Sequence, residues 1–170
     1  MNLQSIFETR RLIVRKLKIS DLDAFHKMQS NPKVMQYVTG KVKSLGAHQK
    51  ELIRLINFYE KEENDFWIYA VVRKSDNEFL GTVALIKDDE GNDELGYRFL
   101  EKYWRKGYGL EVCQGLIAYC QSIKIPVLIG YVVDKNIGSS KILEKCNFKA
   151  VEQRMNPRLK VSETIYQLIL

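Results

Sequence analysis

The stretch from Tyr97 to Glu111, YRFLEKYWRKGYGLE, is the part of the chain whose residue types and spacing best suit chemistry. A strand-like run gives way to a basic loop, and Gly107 and Gly109 then open a helical segment. Such a junction offers main-chain N–H groups that lack helical partners, at the positive end of a helix dipole. Glycine, having no Cβ, lets a phosphate come close to those amides. Arg105 and Lys106 add positive charge, and Tyr108 and Leu110 complete the first turn. The construction suits a pyrophosphate. Two rival phosphate motifs fail. The dinucleotide fingerprint needs a third glycine where Val112 stands, and no GxxxxGK[ST] occurs. A bare GxG also marks ordinary tight turns, so the reading depends on other residues.

Glu94 stands just before this stretch. On a strand it shares one face with Gly96 and Arg98, while Leu95, Tyr97 and Phe99 point the other way. It also ends DDEGNDE, which reads as a solvated acidic turn. His26 and His48 fall on expected helices far from the glycine loop and read as packing residues. Cys113, Cys120 and Cys146 form no CxxC, and no HExxH occurs, so neither a metal site nor a disulfide framework is expected.

The elements that must carry these residues follow from periodicity. Residues 10–17 read as a strand, and Ser20 caps a helix running to about Gln29. A second helix spans 46–62. Strands at 66–72, 79–86 and 94–100 form an antiparallel meander. A helix at 109–123 leads into the apolar strand 127–133, a helix from Ile137 to Lys145, and a final hairpin at 148–155 and 163–169. The crossover from 94–100 through the helix to 127–133 is right-handed and makes those strands parallel. The fold class is therefore α/β (α+β): a mixed, mostly antiparallel sheet with a central parallel pair and helices on both faces.

The chain has 170 residues, a net charge of +6 and a sequence pI near 9.1. That length suits one domain, 1–170, able to bury a core without staples. The basic residues are spread along the chain rather than gathered in a stripe, so no specific nucleic-acid partner is expected. With no apolar run of eighteen residues and a polar start, no membrane partner is expected and the default location is cytoplasmic.

The loop WRKGYG (104–109) resembles the acyl-CoA pyrophosphate loop of the GNAT N-acetyltransferases, Q/R-x-x-G-x-G/A. NIGSSKILEKCNF (136–148) resembles that family's N-x-x-S-x-x-x-x-E-K-x-G-F segment. TRRLIVRKLKISD, NPKVMQYV and EFLGTVAL are similar to the branch that acetylates N-termini of ribosomal proteins, so the likeness spans nearly the whole chain. It implies acetyl transfer from acetyl-CoA to an amine by direct attack, with the two parallel strands splayed apart. Backbone around Tyr97, Arg98 and Phe99 would pair with the pantetheine arm, and residues 105–110 would hold the pyrophosphate. Asn136 would bond the cofactor near its thiol end. Glu94 would be the base, and Ser139 or Tyr108 would assist thiolate protonation. Leu143 stands where many relatives carry the tyrosine that protonates the thiolate, Trp104 stands at the Gln/Arg position, and Asn147 replaces a glycine at a helix C-cap.

The acceptor expected is a protein or peptide N-terminal α-amine. At pH 7 about one α-amine in seven is neutral, against about one lysine in 2,500, a gap of roughly 3.5 kcal/mol. A small-molecule amine (polyamine, amino sugar, amino acid) and a non-catalytic acyl-CoA-binding module are the alternatives. A monomer or homodimer is expected.

Overall fold

The computed structural model describes residues 4–170 and holds one eight-stranded sheet. Its strands are β1 (Ser5–Glu8), β2 (Leu12–Lys16), β3 (Phe66–Arg73), β4 (Phe79–Lys87), β5 (Asp93–Phe99), β6 (Val127–Val133), β7 (Lys149–Met155) and β8 (Ser162–Ile169). Their spatial order is β1-β2-β3-β4-β5-β6-β8-β7, and β5–β6 is the one parallel pair. The helices are α1 (Leu22–Gln29), α2 (Pro32–Met35), α3 (Leu45–Phe58), α4 (Tyr108–Ser122) and α5 (Ile137–Lys145).

Adjacent residues of β5 show which helices cover which face. Arg98 reaches Gln29 of α1, whereas a Cβ on Gly109 of α4 would lie beside the Tyr97 ring and Ile142 of α5. Successive strand side chains point to opposite faces, so α1 lies over one face and α4 and α5 over the other. The α4 face buries Val112, Cys113, Leu116 and Cys120 against Leu95 and Phe99. All three cysteines are free and buried.

The expected elements are present, with local differences. β1, in the polar start, and α2 are additional to the expected elements; both are four residues long, too short for a period to show. The second expected helix ends at Phe58 rather than 62. Ser20 does not cap α1. It lies inside a 3-10 turn (Ile19–Asp21), and the buried Asp21 carboxylate organises this corner. It accepts from Lys18 N at 2.8 Å and from both Arg15 terminal nitrogens at 2.8 Å. His26 and His48 meet Nδ1 to Nδ1 at 2.8 Å, tying α1 to α3.

Gly81 sits where the β4 and β5 backbones nearly touch. A Cβ there would fall 1.9 Å from the Arg98 carbonyl oxygen, which no rotamer can relieve. Gly46, on α3, has open space around its Cβ position. Gly81→Ala should therefore destabilise the protein by about 2–3 kcal/mol, and Gly46→Ala should stabilise it by about 0.5–1 kcal/mol. Urea unfolding measures both, and equal effects would contradict this backbone packing.

Candidate active site

β5 is fully laddered to β4, and β6 is fully laddered to β8. Between β5 and β6, however, the sole bridge is Glu94 with Ile129. Beyond that bridge the strands part. The Leu100 N–H bonds Leu80 O, so even-numbered residues of β5 direct their main-chain groups to β4. By alternation, Tyr97 and Phe99 aim theirs into the opening. Asp134 N bonds Ser162 O, which likewise assigns even residues of β6 to β8 and turns Tyr131 toward the opening. The Phe99 carbonyl is met by the Trp104 indole N–H at 2.9 Å. The expected splay is thus present, with Tyr97 and Phe99 along it.

Arg98 differs from that pair. Its main chain faces β4 and its side chain lies under α1, on the opposite face from Tyr97. The Tyr97 hydroxyl is enclosed, has no hydrogen-bond partner and stands beside Ser139. Burial first, then the nearby Cys113, push its pKa up, while Ser139 pulls the other way.

The glycine loop closes the wide end of the opening. Arg105 (φ 59°) and Gly107 (φ 80°) both adopt left-handed backbone. Gly107 is the N-cap of α4, and no side chain caps that end. The first helical bond is Glu111 N to Gly107 O, which leaves the amides of Tyr108, Gly109 and Leu110 without helical partners. Arg105 and Lys106 are exposed beside them. Such a concave run of amides with two cations is an anion cradle. Gly109 has an added reason to be glycine: a Cβ there would lie 2.8 Å from Ile142 Cδ1, so it lets α4 and α5 pack.

A clamp that sequence reading missed fixes this loop. Arg11 Nε donates to Glu111 Oε2 at 2.6 Å, Arg11 Nη1 donates to the Lys106 carbonyl at 3.0 Å, and the guanidinium lies 4.4 Å over the Tyr108 ring. Thr9 Oγ1 and Arg11 N both donate to Glu111 Oε1. Burial raises the Glu111 pKa, but these hydrogen bonds outweigh it and hold the carboxyl below its ordinary value. No local spacing reveals a pairing across about a hundred residues.

At the narrow end, Glu94 is half-buried, and neither of its oxygens is enclosed without a partner. Burial, then the charges of Asp88 and Glu163, raise its pKa to about 7, with Arg154 opposing. Asp88 accepts from Tyr131 Oη at 2.5 Å. Glu163, 2% exposed, accepts from Arg154 at 2.9 Å and Asn156 at 2.6 Å. Asn136 caps α5 by accepting from Ser139 N at 3.4 Å. Leu143 is fully buried, its Cδ1 at 2.7 Å from the Cβ position of Gly130, so this position belongs to the core and carries no proton. The arrangement therefore joins an anion cradle, an open strand edge and a near-neutral carboxyl in one line.

Removing the clamp tests the loop. Arg11→Ala should speed amide exchange at 105–109 about tenfold, equivalent to about 1.4 kcal/mol, while β-sheet amides keep their protection. Unchanged exchange would mean that the loop holds itself.

The comparisons agree with this geometry. The acetyltransferase (GNAT) domain model matches residues 11–149. The uncharacterized N-acetyltransferase p20 of Bacillus licheniformis is 28% identical over 146 residues, covering 83% of this chain and 80% of that protein. A GNAT-family acetyltransferase structure from Bacillus anthracis superposes with a TM-score of 0.82 at 22% identity, covering 96% of this chain and 97% of that one. RimL, the ribosomal L7/L12 alpha-N-protein acetyltransferase solved with coenzyme A, gives 0.84 at 16% identity over 98% of both chains. With a family match across most of its length and a sheet that parts where a cofactor arm would pair, this chain belongs to the acetyltransferase (GNAT) family, enzymes that move an acetyl group from acetyl-CoA to an amine.

Proposed function

We propose that the protein acetylates the N-terminal α-amine of a protein or peptide, with acetyl-CoA as donor. The observation that carries the choice of acceptor is the Glu94 carboxyl, raised to about 7. A base near 7 is matched to an α-amine of pKa about 7.8, but lies more than three units below a lysine amine of about 10.4. The kinship in fold with RimL, an alpha-N-protein acetyltransferase by its description, supports the same acceptor class.

The residues fit the cofactor. The uncapped amides of Tyr108, Gly109 and Leu110, with Arg105 and Lys106, suit the pyrophosphate. The open edge at Tyr97 and Phe99 suits the amides of the pantetheine arm, as a peptide adds to a sheet edge. The partnerless Tyr97 hydroxyl is a polar group left for a ligand atom. Asn136 and Ser139 stand at the start of α5 beside it. Acetyl-CoA supplies the activated thioester carbon. Glu94 takes the proton of the amine, directly or through one water. The Tyr97 N–H is a donor for the thioester oxygen, where charge develops. Ser139 Oγ holds the proton for the departing sulfur, a duty that Leu143 cannot perform.

The sign of the pH effect follows. Attack needs Glu94 ionised and the amine neutral, so each loses one proton before the reaction. Below pH 7, log kcat/KM for an acceptor peptide should rise with slope two. In Glu94→Gln only the amine remains to titrate, and the slope should fall to one, with turnover at pH 7.5 down about a hundredfold. Calorimetry should show acetyl-CoA affinity nearly unchanged. A slope of two in the variant would remove Glu94 as the base, and binding of NADH as tight as that of acetyl-CoA would remove the cofactor assignment.

A further inference from the structure

Arg98 has no role in the reaction as described, and its surroundings call for one. The other arginines that are not fully exposed, Arg11, Arg15, Arg73 and Arg154, each hold a carboxylate within 2.6–2.9 Å. Among the described residues, Arg98 alone in that group forms no ion pair. Its single hydrogen bond runs from Nη1 to the neutral Gln29 amide oxygen at 2.5 Å. Gln29, 2% exposed, passes its own N–H on to Glu51 of α3 at 3.3 Å. The Glu51 charge is therefore felt through a neutral spacer rather than by contact. A half-buried guanidinium without a counter-ion is costly, because its lost hydration is not replaced.

The remaining donors of Arg98 are available. The only enclosed side-chain polar atoms without partners among the described residues are Asn64 Nδ2 and Tyr97 Oη. The Nε and Nη2 groups of Arg98 are therefore not sealed off, although burial is the leading influence on the guanidinium and lowers its pKa. They are on the Glu94 side of β5, away from the glycine loop and α4, and so lie on the acceptor's side of the sheet. Arg158, on the turn between β7 and β8, is close enough to act electrostatically on Arg98. The same turn packs Leu159 against the Gly40 segment after α2. Lys41, Lys43 and Lys160 lie within two or three residues of that contact in sequence and are exposed. This end of the face is cationic. Toward Glu94 the balance turns acidic, with Asp88 and Glu163 beside it and Arg154, paired with Glu163, opposing them.

We propose that Arg98 is a specificity-determining residue that pairs with a carboxylate of the acceptor, so that the favoured substrate is a peptide with Asp or Glu close behind its N-terminal amine. The proposal rests on the N-terminal reading above. Glu94 and Arg98 are four residues apart on one strand face, about 13 Å along it. An extended peptide covers that span in about four residues. The acidic side chain therefore falls within the first four positions, with the amine at the acidic end of the face and the carboxylate at the cationic end. A guanidinium accepts such a carboxylate through two parallel N–H donors, which gives it direction as well as strength.

The test pairs peptides identical except for Asp or Glu against Asn or Gln at positions two to four. The wild-type protein should prefer the acidic member in kcat/KM by roughly ten- to hundredfold, mostly through KM, and the preference should shrink as salt is raised. In Arg98→Met the acidic-to-neutral ratio should fall to near one, and Arg98→Lys should restore part of it. The ratio is an internal control, since a merely structural role would lower both rates together and leave it unchanged. If Arg98→Met does not fold, the wild-type ratio and its salt dependence decide the matter. Peptides acetylated without acidic preference would overturn this inference and leave the N-terminal reading intact. Acetylation of small amines with no peptide turnover would overturn both.

Discussion

Main-chain hydrogen bonding between β5 and β6 is the constraint on which the rest of the structure depends. Polar backbone groups inside a sheet demand partners, yet these neighbours share one bridge, Glu94 with Ile129. Each strand follows its other neighbour instead. β5 is zipped to β4 across its length and β6 to β8 across its length, so the molecule is two half-sheets joined at a point. The Asp134 carboxylate strengthens the second half by accepting from the hydroxyls of Ser162 and Thr164 and from Gln153. The Gly81 contact brings β4 and β5 unusually close in the first. The opening is set by these two ladders, each strand following its other neighbour.

The alternation of β5 distributes the functions. Odd-numbered residues send their main chain into the opening and their side chains toward α4 and α5, where the Tyr97 hydroxyl lies near Ser139 without a hydrogen-bond partner. Even-numbered residues send their main chain to β4 and their side chains to the other face, where Glu94 and Arg98 stand. Under the proposed function, a period of two thus separates donor chemistry from acceptor chemistry without any added element. The Arg11–Glu111 clamp has a comparable economy, because one ion pair joins the β1–β2 turn, the loop carbonyl of Lys106 and the first turn of α4.

Local pattern made much of this visible in the chain itself. The meander, the crossover and the closing hairpin follow from runs of apolar residues and the turns between them, and the glycine loop follows from its composition. The alternation of Glu94, Gly96 and Arg98 against Leu95, Tyr97 and Phe99 was also legible, because a strand allows no other assignment of faces. What remained hidden depends on distance in space. β1 is too short to show a period, and the partners Arg11 and Glu111 are 100 residues apart. The isolation of Arg98 can be seen only when every nearby carboxylate is located. Grouping it with Tyr97 and Phe99 followed sequence proximity, whereas the pleat sends its side chain the other way.

The position of Glu94 shows how one feature serves both halves of the site. It occupies the single bridge between the half-sheets, where both strands crowd it and water is partly excluded. Burial is the leading reason its pKa rises to about 7, and the neighbouring carboxylates add to it. The bridge that ends the ladder thus carries a carboxyl that is partly dehydrated and not sealed from solvent. Under the proposed function, the topology that opens the strand edge for the cofactor therefore also raises the pKa of the base beside it.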